Sequence, residues 1–124
     1  MIIASEPQLF VSGIKAARAF YVGKLRFRVV RSYGDPPFWA QVARDGGCLN
    51  LRTVEMPIFD SDFRSREPDA VSATLTVDDA ETLFAEFQKA GVTFRQALRT
   101  EPWGARTFIV EDPDANLIAF AGGA

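Results

Sequence analysis

Val71-Ser72-Ala73-Thr74-Leu75-Thr76-Val77-Asp78-Asp79-Ala80-Glu81 is the stretch on which the fold is decided, because it restarts a pattern already used earlier in the chain. Ala73, Leu75 and Val77 alternate with Ser72, Thr74 and Thr76, the period of a strand buried on one face. Asp78, with Glu81 three residues on, has the pattern of a capping box, which puts a helix N-cap at Asp78. Ala80, Leu83, Phe84, Phe87 and Ala90 continue at helical spacing, and Gly91 is placed to end that helix. An extended run resumes over residues 92–94. Residues 107–110 and 116–120 read as strands around the turn Asp112-Pro113-Asp114-Ala115. The half is therefore a strand, a helix and about three further strands.

The first half has the same order. Gln8-Leu9-Phe10-Val11 predicts a strand, and Ser12 offers an oxygen for a helix N-cap. Ile14, Ala17, Tyr21 and Leu25 recur at helical spacing. Residues 27–33 are rich in β-branched and aromatic side chains, which favours a strand. Gly34-Asp35-Pro36-Pro37 is a turn, and residues 38–43 and 48–52 are strands joined by the hairpin signal Asp45-Gly46-Gly47. Val11 and Val77 both precede a helix start and stand 66 positions apart, while Phe27 and Phe94 both follow a helix, 67 apart. A period of half the chain indicates a duplicated βαβββ module rather than a solenoid. Residues 54–69 break the pattern and are expected to be a long loop. The expected organisation is one domain over residues 1–124: a first module at 1–53, a linker at 54–69 and a second module at 70–124.

Composition narrows the chemistry. The 124 residues carry 14 basic and 16 acidic side chains and no histidine. A net charge of −2 gives no basic face of the kind that nucleic acid or anionic membranes require. Without histidine, histidine-dependent triads and histidine-ligated metal sites are excluded. The single cysteine, Cys48, cannot form an internal disulfide and is expected to be a small buried residue. No basic start followed by an apolar run marks a signal peptide, and no apolar run reaches membrane-spanning length, so a cytoplasmic location is expected.

Three groups of residues carry a resemblance to a known family. They are Pro7-Gln8-Leu9-Phe10-Val11-Ser12 leading to Ala19-Phe20-Tyr21 and Leu25-Arg26-Phe27; Leu75-Thr76-Val77-Asp78-Asp79 with Gly91-Val92; and Pro102-Trp103-Gly104-Ala105-Arg106 followed by Glu111-Asp112-Pro113-Asp114-Ala115-Asn116-Leu117-Ile118. In order and spacing they resemble the glyoxalase/bleomycin-resistance/dioxygenase (vicinal oxygen chelate) superfamily. Arg26 and Ala115 stand where the family usually has glycine. The resemblance implies an α+β fold, in which two βαβββ modules form a curved half-barrel sheet with helices on the convex side and a ligand site on the concave side.

Strand alternation then assigns faces. Leu9, Val11, Leu49, Leu51, Ile118 and Phe120 are expected under the helices. Glu6, Gln8, Phe10, Cys48, Asn50, Arg52, Ser72, Thr74, Thr76, Leu117 and Ala119 are expected to face the site. Metal-dependent relatives carry four ligands, and the resemblance puts those positions at Glu6, Asn50, Ser72 and Ala119. Only Glu6 is a strong ligand, whereas a catalytic divalent ion needs about three anionic or imidazole donors. No metal and no other cofactor is expected.

The ligand-binding residues expected are Phe10, Phe38, Trp39, Asn50, Arg52, Phe59, Phe63, Trp103 and Arg106. Aromatic faces can stack on a planar molecule, and arginine or asparagine can orient it. Each also has a plain structural reading. Trp103 suits a rim or subunit interface, Trp39 and Phe38 ordinary strand packing, Phe59 and Phe63 anchors for the long loop, and Arg52 and Arg106 surface ion pairs. Glu6 is the one candidate general base, a lone carboxylate with no visible partner. The expected function is metal-free binding of a small molecule, such as sequestration of an antibiotic or toxic aromatic compound. By resemblance to drug-sequestering relatives, it is carried out by a homodimer without nucleic-acid or membrane partners. The alternatives are a lyase, an isomerase or a divergent metal-dependent enzyme of the same fold, and a partner-binding homodimer with a filled cavity.

Overall fold

A computed structural model describes residues 1–123. The chain forms two units, Met1–Asp60 and a second from Ser61 onward, each built on one open four-stranded sheet. The fold is α+β, with two βαβββ modules as the resemblance implies.

In the first unit β1 (Gln8–Val11) is followed by α1 (Ile14–Tyr21), then β2 (Arg28–Gly34), β3 (Pro37–Arg44) and β4 (Gly47–Thr53). The sheet order is β1-β4-β3-β2, with β1 parallel to β4 and the other pairs antiparallel. Helix α1 buries Ile14, Ala17, Phe20 and Tyr21 and packs on β3 and β4. Beneath it lie Leu9, Val11, Ala40, Val42, Leu49 and Leu51, each 0–1% exposed. This core is mostly aliphatic because it is built from the inward parity of Val- and Leu-rich strands. The N-cap is Gly13, extended at φ −166° with no side-chain cap bond, rather than the expected Ser12. After α1 the chain reverses tightly. A Cβ at Gly23 would lie 2.4 Å from the Ala19 carbonyl oxygen, so no side chain fits there. Arg26 takes the left-handed φ of +63°, which accounts for the glycine usual at this position.

In the second unit the order is α2 (Ser61–Arg66), β5 (Ala73–Val77), α3 (Ala80–Lys89), β6 (Phe94–Thr100), β7 (Arg106–Glu111) and β8 (Leu117–Gly122). Its sheet repeats the first topology as β5-β8-β7-β6, again with one parallel pair, β5 and β8. Under α3 the core is aromatic. Phe108 stacks on Phe120 at 5.0 Å between ring centroids, and Phe84, Phe87 and Phe94 each lie within 5.9 Å of Phe108 by the same measure.

Helix α3 starts one residue later than expected. Asp79, not Asp78, is the N-cap, and its carboxylate accepts from the Thr82 backbone N–H at 3.0 Å and the Thr82 hydroxyl at 2.7 Å. Thr82 thus takes the place that Glu81 was expected to fill, and Glu81 turns to Arg106. Gly91 follows the helix at φ +75°, as its placement predicted.

The segment at 54–69 was expected to be irregular, yet it contains α2. Arg64 explains how so polar a stretch is held. Its guanidinium donates to the carbonyls of Glu67, Ala70 and Ala115 at 3.0–3.2 Å. Those acceptors belong to the backbone, so a search for periodicity could not see them. The turn before β8 is fixed by Asp112, whose carboxylate accepts from the backbone N–H groups of Asp114 and Asn116 and from the Asn116 side-chain amide. Ala115 sits in this turn at φ +65°, again where glycine is usual.

Candidate functional site

The register of the first sheet places its outward side chains in rows. Tyr33 pairs with Trp39, Trp39 with Arg52, and Arg52 with Phe10, so these four cross β2, β3, β4 and β1 on one face. The Tyr33 and Trp39 rings lie 5.3 Å apart, tilted by 33°. The next row is Arg31, Gln41, Asn50 and Gln8, and the third is Arg28, Ala43 and Cys48. Leu49, Leu51, Ala40 and Val42 take the opposite parity under α1, so these rows form the face away from the helix. The alternation thus placed Phe10, Cys48, Asn50 and Arg52 on the open face, and Trp39 lies beside them.

A polar network lies within that face. Gln41 donates its amide N–H to Glu6 Oε1 at 2.6 Å and to Asn50 Oδ1 at 3.0 Å, and the Asn50 amide donates to the same Glu6 oxygen at 3.3 Å. Sequence reasoning missed Tyr33 and, in this network, Gln41. It is 7% exposed, one of four buried polar side chains among the described residues. The signal was available, since Gln41 is two positions beyond Trp39 and shares its face. Cys48 is half-buried beside this network. Its thiol pKa is pushed up by burial first and then by the Glu6 carboxylate, with Arg31 and Arg28 acting against both. A thiol held protonated in this way is a poor nucleophile and a poor metal ligand.

The other expected site residues belong to several different elements. Phe38 has the parity opposite to Trp39, is 51% exposed, and approaches Gly34 so closely that a Cβ there would meet its ring at 2.4 Å. Phe59 is half-buried in the segment before α2. Phe63 is on α2, 45% exposed, with the Arg64 guanidinium carbon 5.9 Å from its ring centre. Trp103 is 72% exposed in the turn between β6 and β7. Arg106 lies on the α3 side of β7. It pairs with Gly122, which packs against Ala80, and its guanidinium is 3.3 Å from Glu81. The ion pair with Glu81 is what Arg106 makes here, in line with its plain structural reading.

The second sheet's open face differs in kind. Its rows are Thr74, Ala119, Ile109 and Gln96, then Thr76, Ala121, Thr107 and Arg99. Leu117 has the open-face parity but is 1% exposed. Ser72 donates its hydroxyl to the Asn116 side-chain carbonyl at 3.2 Å. At the end of this face Glu101 is 8% exposed and accepts from Arg99 Nε at 2.7 Å and the Thr107 hydroxyl at 2.6 Å. The Arg99 bond first, and then Thr107, hold its carboxyl below the ordinary carboxylate range.

The donor set does not suit a divalent cation. Of the four positions the family uses, Glu6 spends one oxygen on two amides, Asn50 is a neutral amide in the same network, the Ser72 hydroxyl is engaged by Asn116, and Ala119 has no donor. Among the described residues no three Cys, Asp or Glu side chains cluster so as to hold a metal. A groove of about 520 Å³ does open in the first unit, at the start of α1 against Pro36 and Pro37, but none of the expected ligand-binding residues lines it. No helix among the described residues is long and apolar enough to cross a membrane.

Two duplicated βαβββ modules with a helix over each sheet define a glyoxalase-type fold. The chain belongs to the Glyoxalase/Bleomycin resistance protein/Dioxygenase superfamily, whose family model matches residues 4–120. Solved structures with the same fold include the bleomycin-binding protein of bleomycin-producing Streptomyces verticillus complexed with copper(II)-bleomycin, at 23% identity and TM-score 0.75, covering 100% of this chain and 98% of that one. A bleomycin resistance determinant encoded on the transposon Tn5 aligns at 18% identity and TM-score 0.78, covering 98% of each chain. TioX from Micromonospora sp. ML1 aligns at 21% identity and TM-score 0.76, covering 96% of this chain and 97% of that one. No curated protein sequence gives a significant match.

Proposed function

We propose that this protein is a metal-free binder of a small, partly aromatic molecule and that it acts by sequestration rather than by chemistry. The observation that carries the reading is the open face of the first sheet. Tyr33, Trp39, Arg52 and Phe10 form one row beside a Glu6–Gln41–Asn50 network. Flat aromatic faces with an adjoining set of oriented hydrogen-bonding groups are what a planar ligand needs. The Glu6 carboxylate is tied to neutral amides, an arrangement that suits orienting a ligand more than gripping a cation. Bleomycin-binding proteins of the same fold support small-molecule binding. We propose that the ligand is an antibiotic or a toxic aromatic compound and that the working form is a cytoplasmic homodimer.

Three measurements test this. Metal analysis of the purified protein should find no stoichiometric zinc, iron, nickel or manganese, and one equivalent of such an ion abolished by Glu6→Gln would turn the reading into a metal enzyme. A panel of aromatic compounds should include members that quench tryptophan emission and raise the melting temperature. If no compound does either, the binder reading fails. Light scattering in solution should give twice the chain mass, 13.7 kDa per chain.

A further inference from the structure

The first unit holds eight basic and five acidic side chains, and the second holds six and eleven. The basic excess is concentrated further. Residues 7–34 contain Lys15, Arg18, Lys24, Arg26, Arg28 and Arg31 and no acidic residue at all. Sheet register then decides where part of this charge goes. Arg28 and Arg31 on β2 fall on the open face opposite Ala43 and Gln41, and Arg52 on β4 sits between Trp39 and Phe10. All three arginines are exposed, and none makes an ion pair or side-chain hydrogen bond among the described residues. Within this unit the acid on the same face is Glu6, already accepting from Gln41 and Asn50. The remaining acids of this unit lie elsewhere: Asp35 and Asp45 in hairpin turns, and Glu55 and Asp60 beyond β4.

We infer that the ligand of this face is an aromatic anion, a planar ring system carrying a carboxylate, sulfonate or phosphate. The inference rests on the binding role proposed above and adds the sign of the charge. Three arginines with free donors and one committed carboxylate give this face a positive potential. A guanidinium fork meets such an oxyanion with two parallel hydrogen bonds, which a neutral or cationic ring cannot return. Arg52 is best placed for it, because its row neighbours are the aromatic rings on which the same ligand would stack.

The test uses three anthraquinones that differ only in a substituent at position 2: carboxylate, hydroxymethyl and aminomethyl. Binding is read from quenching of Trp39 in a Trp103→Phe background and by calorimetry on the unaltered chain. The carboxylate should bind about tenfold more tightly than the aminomethyl compound, the size expected of one partly exposed charge-assisted pair. That advantage should shrink between low and high salt. Arg52→Ala should remove most of this preference for the carboxylate over the aminomethyl compound, and Arg28→Ala and Arg31→Ala should each remove less. Equal or tighter binding of the neutral or cationic quinone overturns the charge assignment and leaves the binder reading standing. Absence of binding by all three, together with silence of the wider aromatic panel, brings down both.

Discussion

The two units share one topology and differ in how they use their aromatic residues. In the first, the covered face is largely aliphatic, and Tyr33, Trp39 and Phe10 stand on the open face. In the second, five phenylalanines fill the space beneath α3, and the open face carries Thr74, Thr76, Thr107, Ala119 and Ala121. Both units bury rings, Phe20, Tyr21 and Phe27 in the first among them, but the first also carries a row of aromatic side chains on its open face. Charge follows the same division, basic in the first unit and acidic in the second. Topology by itself therefore says little about which copy binds.

The comparison can be broken most forcefully at the second core. Phe108→Ala removes a fully buried ring that touches four others and should destabilise the protein by about 3–5 kcal/mol in denaturant unfolding. A loss no larger than that of an exposed substitution would mean that the aromatic cluster is not a close-packed core. Next in size, Trp39→Ala should weaken binding of an aromatic probe by about tenfold while changing stability less than Phe108→Ala. Thr74→Ala, on the other unit's open face, should leave that affinity unchanged in the same titration. If Thr74→Ala weakens binding as much as Trp39→Ala does, the division of labour between the faces is wrong.

Smaller gains are expected at two turns. Arg26 and Ala115 hold left-handed backbone angles of +63° and +65°. Arg26→Gly and Ala115→Gly should each stabilise by about 0.5–1 kcal/mol, because relief of the Cβ clash outweighs the greater freedom of glycine in the unfolded chain. Thermal unfolding of the two variants and their combination reads this directly. A fall in stability for both would show that their side chains contribute more than the strain they impose.

The smallest effect is in pH. Arg99 and then Thr107 hold the Glu101 carboxyl below its ordinary value of 4.5, and the Thr82 backbone N–H does the same for Asp79. Both folded values are depressed. Their contribution is therefore fully present above the unfolded values and is lost as pH falls through the folded ones. Both groups are in the second unit. Acid should lower stability through these groups, and Glu101→Gln should flatten part of the acid limb of a stability-versus-pH curve. An unchanged limb in that variant would show that the Arg99 pair adds nothing in solution.

Much of this was legible from residue order. Alternation in Leu9-Phe10-Val11 and in Leu49-Asn50-Leu51-Arg52 assigned faces correctly because a strand's side chains have a fixed period of two. The two modules were legible because a helix between a strand and three more strands leaves the same trace twice. The absence of histidine and the poor donor set at Glu6, Asn50, Ser72 and Ala119 also needed no coordinates. Only the tertiary structure could decide what depends on strand pairing and on backbone acceptors. It brought Gln41 to Glu6 across 35 residues, set Arg28 across β3 from Cys48, pinned α2 through Arg64, and drew Arg106 to Glu81. Periodicity tells which way a side chain points, whereas register and loop closure decide what it meets.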